Sequence, residues 1–124
     1  MDQLMRRWRL DTDSTVPPFE QIRLRILDLA SSGELAVGTK LPSVRALASD
    51  LGVAANTVAR AYRELEQAGI VATAGRSGTA IASGGDKIAA QVALAAEAYA
   101  EVVRELGVPQ NQALNIVKAA LGSS

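Results

Sequence analysis

Three polar side chains sit at helical spacing on one short stretch: Asn56, Arg60 and Arg63 in AANTVARAYR. If Val58 points inward, a rotation of ~100° per residue puts Asn56, Arg60 and Arg63 about 160°, 200° and 140° away from it. One face thus offers an amide and two guanidiniums. An amide pairs bidentately with adenine and a guanidinium with guanine in the major groove of DNA. Thr57 lies nearer the start of the helix, where hydroxyls and free backbone N–H groups meet phosphate. Ser43 and Arg45, at the start of the preceding helix, are placed to grip the nucleic-acid backbone. Arg76, between Gly75 and Gly78, suits a minor groove or its flanking phosphates. Each arginine taken alone reads as a solvated surface charge.

What must position these groups is the stretch Val44 to Arg63. It reads as a helix from Val44 to Asp50, a tight turn, and a second helix from Ala55 to about Ala68. Gly52 marks the turn, where positive φ is wanted. Ala48, four residues before it, lets two helices approach closely. Val58, six residues after it, fills the angle between them, with Leu47, Leu51 and Val53 around the corner. Small–glycine–aliphatic at these offsets is the pattern of a DNA-binding helix-turn-helix. Tyr62 and Leu65 return to the core side. Ala54 stands at the expected N-cap of the second helix, where Ser or Asn would add about 1 kcal/mol.

The flanks extend the unit. The segment Met1 to Val16 is polar, clusters Arg6, Arg7 and Arg9, and reads as a terminus or as a short strand or arm carrying Trp8 and Leu10. Pro17-Pro18 opens a helix. Phe19, Ile22, Ile26 and Leu29 form its apolar stripe, widened by Leu24 and Leu27, with Arg23, Arg25 and Asp28 toward water. Ser31-Ser32-Gly33 ends it. In GELAVGTKLPS, Leu35 and Leu41 bury, Gly38 turns, and Ser43 is the N-cap of the next helix. After Gly69, Ile70–Thr73 and Thr79–Ala82 read as two strands joined at residues 74–78 as a hairpin. Three helices followed by a β-hairpin make a winged helix-turn-helix.

Ser83-Gly84-Gly85 reads as a flexible joint, and Asp86 as the cap of a helix to about Leu106. Ile88, Val92, Ala95, Tyr99, Val102 and Leu106 repeat at heptad spacing. Gly107 ends this helix and Pro109 opens the last one. There Leu114, Val117 and Leu121 form a stripe, flanked by Ala113, Ile116 and Ala120. Two such helices cannot bury all their apolar faces on each other, so a second copy is expected to cover the rest. The fold class is therefore mainly α with a small β-hairpin. A winged helix-turn-helix domain (residues 1–83) precedes a two-helix dimerisation hairpin (residues 84–124), with self-association through residues 86–121.

Composition bounds the chemistry. The chain has 124 residues, 48% of them apolar and 3% aromatic, with no Cys and no His. Disulfides, thiolate chemistry, Cys or His metal sites and His-based catalysis are excluded. No nucleophile–base pair, Gly-rich phosphate loop or acidic cluster stands out, so no enzyme activity, metal or cofactor is expected. No stretch reads as a signal peptide or bilayer span, and the expected compartment is the cytoplasm. Formal net charge is zero. Any DNA surface must be a local patch.

The motifs now carry a resemblance. Gly33-Glu34-Leu35, Gly38-Thr39-Lys40-Leu41-Pro42-Ser43 and Arg45-Ala46-Leu47-Ala48 resemble the N-terminal domain of GntR-type bacterial transcription regulators. Asn56 through Glu66 (NTVARAYRELE), Gly69-Ile70-Val71 and the wing Gly75-Arg76-Ser77-Gly78-Thr79 keep the same register over roughly Pro17 to Ala82. The short helical tail is similar to the YtrA subgroup, whose two-helix tails are thought to dimerise. MocR-type members share the Asn-Thr-Val…Ala-Tyr stretch but add an aminotransferase-like domain. The residues after the wing are too few for it, so pyridoxal phosphate is not expected. The resemblance implies double-stranded DNA as partner, and Ser43, Arg45, Asn56, Thr57, Arg60, Arg63, Arg76 and Gly78 as the DNA-facing set, with Arg45 able to reach a base as well as the backbone. Ala55 and Ala59 stand where members with larger sensor domains carry arginines, so the contact set is lean. The resemblance thus implies a homodimeric regulator, a repressor, on an inverted-repeat operator. The zero net charge favours an alternative, a winged-helix protein-interaction module without specific DNA binding. A small-molecule effector between the tail helices, lined by Val92, Tyr99 and Val103, is left open; core packing explains those residues more simply.

Overall fold

The computed structural model describes residues 8–75 and 78–122. Its elements in chain order are α1 (Pro18–Ser32), α2 (Val44–Leu51), α3 (Ala55–Gln67), β1 (Val71–Thr73), β2 (Thr79–Ile81), α4 (Gly85–Leu106) and α5 (Gln110–Leu121). The chain divides into two compact units, Met1–Ile88 and Ala89–Ser124.

The first unit is built on one core. Pro17 and Pro18 start α1 where a missing N–H costs nothing, and Gly33 ends it at φ 84°. Ile22, Ile26 and Leu29 are buried as the stripe requires, whereas Phe19, in the first turn, is only half-buried. Leu24 does not widen the stripe: it is 44% exposed, and Leu27 alone leans on the core. Nor do Arg23 and Arg25 face freely into water; both are half-buried. Leu35, Leu41, Leu47, Ala48, Val58, Ala61, Tyr62, Leu65, Ile70, Val71 and Ile81 complete the core. Among the described residues of the arm, Trp8–Leu10 has no regular secondary structure, and Arg6 and Arg7 lie outside the described residues. Trp8 and Leu10 nevertheless pack on the core. Gln21 ties the following turn down, accepting from the Asp11 N–H (2.8 Å) and donating to the carbonyls of Asp11 (3.0 Å) and Val16 (2.9 Å).

The hairpin pairs Val71 with Ile81, Ala72 with Ala80 and Thr73 with Thr79, antiparallel. Its second strand has another neighbour that the local pattern does not reveal. Lys40 bridges Ala80 on the free edge of β2. Gly38 N–H donates to Ile81 O (2.8 Å), Ile81 N–H to Thr39 O (2.9 Å) and Leu41 N–H to Thr79 O (2.8 Å). The segment before α2 therefore acts as a third edge. It satisfies backbone groups that a two-stranded ribbon would leave to solvent.

The stretch Ser83-Gly84-Gly85 corrects the expected flexible joint. Ser83 is fully buried and its hydroxyl donates to Gly69 O at 2.6 Å. A Cβ on Gly85 would lie 2.5 Å from the Ser31 carbonyl oxygen. Glycine is needed here for close approach to the end of α1, not for freedom. Asp86 is likewise not the cap: α4 begins one residue earlier, with the Gly84 carbonyl accepting from Ile88 N–H (3.1 Å). Asp86 instead places its charge in the first turn, where the helix dipole favours it. Ile88 packs against the core, so this first turn counts with the winged unit. Gly85→Ala is expected to destabilise the unit by about 1–3 kcal/mol through overpacking. A lowered urea midpoint at unchanged slope is the readout.

The second unit is a helical hairpin. Gly107, at φ 68°, ends α4, and Pro109 precedes α5. The Tyr99 hydroxyl donates to Ala113 O at 2.7 Å, and Ala113 is the one described residue of α5 that is buried. The helices meet through small and medium residues, while the stripe Leu114 and Leu121 stays exposed, as do Val92, Leu94, Val102, Leu106 and Ile116. A groove of about 580 Å³ runs along the hairpin, lined by Tyr99 and Val103 but not by Val92. Among the described residues no helix is long and apolar enough to cross a membrane, and no cluster of acidic residues could hold a metal ion.

Candidate nucleic-acid interface

The corner between α2 and α3 is locked from several sides. Ser43 caps α2, its hydroxyl accepting from Ala46 N–H at 3.1 Å. Gly52 takes φ 70°, and Val53 N–H reaches back to Ala48 O at 3.0 Å. Leu47, Ala48 and Val58 are buried in the angle. The Tyr62 hydroxyl donates to Pro42 O at 2.8 Å, fastening α3 to the residue before the α2 cap. Burial pushes the Tyr62 hydroxyl well above the usual tyrosine range, which favours the protonated, donating form.

With Val58, Ala61, Tyr62 and Leu65 inward, the opposite face of α3 presents Asn56, Arg60 and Arg63, all exposed, with Thr57 half-buried at its margin. Ala54 starts α3 in an extended conformation with no side-chain cap. Thr57 N–H bonds the Ala54 carbonyl at 3.0 Å, so among the described residues the N–H groups of Ala55 and Asn56 are the ones left for an outside acceptor. Ser43 and Arg45 are exposed at the start of α2. Among the described residues, the Arg45 and Arg63 side chains make no hydrogen bond or ion pair. Gly78 is exposed in the wing turn, its N–H donating to Gly75 O at 3.1 Å. Arg76 lies outside the described residues.

Arg60 is not free in the same way. Its guanidinium lies over the Phe19 ring, 3.6 Å from the centroid, and its Nε is 3.3 Å from Glu64 Oε2. Glu64 also faces Arg23 Nε at 3.9 Å, and Arg23 pairs with Glu20 at 2.6 Å. The hydrogen bond from Arg23 holds the Glu20 carboxyl below the usual range against opposing desolvation, and raises the Arg23 guanidinium in turn. Pro18, Phe19, Asn56, Thr57 and Arg60 line a cleft of about 250 Å³. The start of α1 therefore borders the candidate interface. Sequence periodicity assigned Phe19 to the core stripe and gave no hint of this. Lys40 is a second residue not foreseen: its pairing with Ala80 carries an exposed cation alongside the wing hairpin.

Residues 18–81 match the family described as bacterial regulatory proteins, gntR family. The chain is 50% identical over 111 residues to the HTH-type transcriptional regulator Rv1152 of Mycobacterium tuberculosis, spanning 89% of this chain and 91% of that protein. It is 42% identical over 73 residues to the HTH-type transcriptional repressor YtrA of Bacillus subtilis, spanning 59% and 56% of the two chains. Among solved structures, YtrA from Sulfolobus acidocaldarius, a GntR-family transcription factor, superposes with a TM-score of 0.58 at 34% identity, over 72% of this chain and 94% of that one. With its winged helix-turn-helix and these relatives, the chain belongs to the GntR family of bacterial transcription regulators, among the YtrA-like members.

Proposed function

We propose that this regulator binds an inverted-repeat operator as a homodimer and represses transcription there. The observation that carries the reading is the sidedness of α3. Its inner face is buried, and its outer face offers one amide and two guanidiniums, the groups that pair with adenine and guanine edges. Ser43 and Arg45 at the start of α2, and the wing with Gly78 and Arg76, supply the backbone grip. The lean cation set argues for two copies. A single unit with so few phosphate contacts binds weakly at physiological salt, and pairing on two half-sites restores affinity. The exposed apolar side chains of the hairpin offer the surface for pairing. Half-sites then lie on one face of the duplex, about one or two helical turns apart. Repression is the activity in the name of the Bacillus subtilis relative, and occupying a site on the duplex is sufficient to produce it.

Mobility shifts on DNA upstream of the protein's own coding sequence test this. Saturable, salt-sensitive binding is expected, weakened about tenfold by Arg45→Ala. Binding by Arg45→Ala equal to that of the wild type removes the grip assigned to α2. A monomer indifferent to DNA at low salt supports instead a scaffold that docks proteins.

A further inference from the structure

We propose that Phe19, acting with Glu64, is a positioning residue that holds Arg60 as a rigid hydrogen-bonding fork, making Arg60 a base reader and not a phosphate clamp. The inference rests on the DNA-binding reading above and deepens it. Arginine side chains on helix surfaces ordinarily sample many rotamers, and ordering one on binding costs entropy. Here two groups hold it before any DNA arrives. The Phe19 ring supports the guanidinium face at 3.6 Å, a contact that attracts a cation and matches its plane. Glu64 accepts from Nε at 3.3 Å. Glu64 is itself steadied by Arg23, which Glu20 anchors in a two-point hydrogen bond of 2.7 and 2.6 Å. Among the described residues neither terminal nitrogen of Arg60 has a partner. Those are the two donors that pair with O6 and N7 of a guanine.

The charges decide the role. Arg60 and Arg23 are matched by Glu64 and Glu20 in one cluster, so the cluster as a whole is neutral. A neutralised arginine gains little from a phosphate and releases few counterions. Its geometry, held by the ring and the carboxylate, remains fully useful for reading a base edge. Arg45 has no such partner and fits the opposite role of charge neutralisation. The two arginines should therefore separate in salt dependence.

The test uses the full-length protein and a DNA duplex enriched by it from a random pool. Fluorescence anisotropy is recorded on that duplex, on every single-base-pair variant of one half-site, and at several salt concentrations. Phe19→Leu is expected to relax the preference at one base pair by about tenfold, the same base pair that Arg60→Ala relaxes, with the salt slope unchanged. Phe19→Tyr, which keeps the ring, should retain the preference, and Glu64→Gln should relax the same base pair. Thermal melts of each variant check that the unit is folded. The proposal is overturned if Phe19→Leu keeps the preference at every position, if it weakens all positions alike, or if Arg60→Ala lowers the salt slope as Arg45→Ala does. A wild-type protein that enriches no sequence overturns the DNA-binding reading itself, a result distinct from those three.

Discussion

Replacing Leu106 and Leu114 together by glutamate is expected to leave a folded but monomeric protein that binds its operator roughly a hundredfold more weakly. In the single chain these leucines are 73% and 61% exposed. They contribute little to the hairpin they belong to, so the change should cost little folding stability. In a pair of chains the same residues would be covered. Each leucine buried there contributes about 1.5–3 kcal/mol. Two per protomer, four per dimer, amount to roughly 6–12 kcal/mol, comparable to the whole association energy of a micromolar-to-nanomolar dimer. Charged carboxylates in their place add a desolvation penalty. Light scattering with and without the substitutions reads the assembly state, and anisotropy reads the affinity. A variant that stays dimeric moves the self-association surface away from these leucines. One that becomes monomeric with unchanged operator affinity removes dimerisation from the mechanism.

The second large effect falls on stability. Ile26 is fully buried in the middle of α1, and Ile26→Ala is expected to cost about 2–5 kcal/mol through lost burial and a residual cavity. Native domains are held by only about 5–15 kcal/mol in all. For a unit of this size each kcal/mol shifts the melting midpoint by about 4–8 °C. The winged unit should therefore melt roughly 8–40 °C lower, a change that circular dichroism resolves easily. Helix α1 has two jobs that the substitution separates. Its inner face supports the core, and its first turn carries Phe19 and Glu20 toward α3. Well below its melting midpoint, Ile26→Ala should read the same sequence as the wild type. Altered base preference there would mean that core packing, not the Phe19 contact, sets the orientation of α3.

The parts of this protein legible in its sequence are those fixed by contacts close along the chain. The Ser43 cap, the Gly52 turn, the inward Val58 and the outward Asn56, Arg60 and Arg63 all follow from local spacing, and the structure places each accordingly. The uncapped start of α3 at Ala54 was also visible. What stayed hidden depends on partners distant in sequence. Lys40 joins Ala80 across forty residues, so Gly38–Leu41 looked like a loop with two buried leucines near it. Phe19 fits the apolar period of α1, but it lies at the helix end, where the period runs past the core and the ring meets Arg60 instead. Gly84-Gly85 resembles a hinge by composition, yet Gly85 serves the close approach to Ser31, which no local pattern encodes. In the tail, heptad spacing correctly signalled more apolar surface than two helices can hide. It did not identify Ala113 and Tyr99 as the contact and the leucines as the exposed remainder.

The lean contact set makes one measurement decisive: the DNA that the purified wild-type protein enriches from a random pool. The expected product is a pair of inverted half-sites one or two helical turns apart, bound with a log–log salt slope of roughly −3.6 to −5.4 for two or three phosphate contacts per protomer. A pool that returns unenriched, or that yields single unpaired half-sites bound with full affinity, contradicts a reading head that works only as one of two.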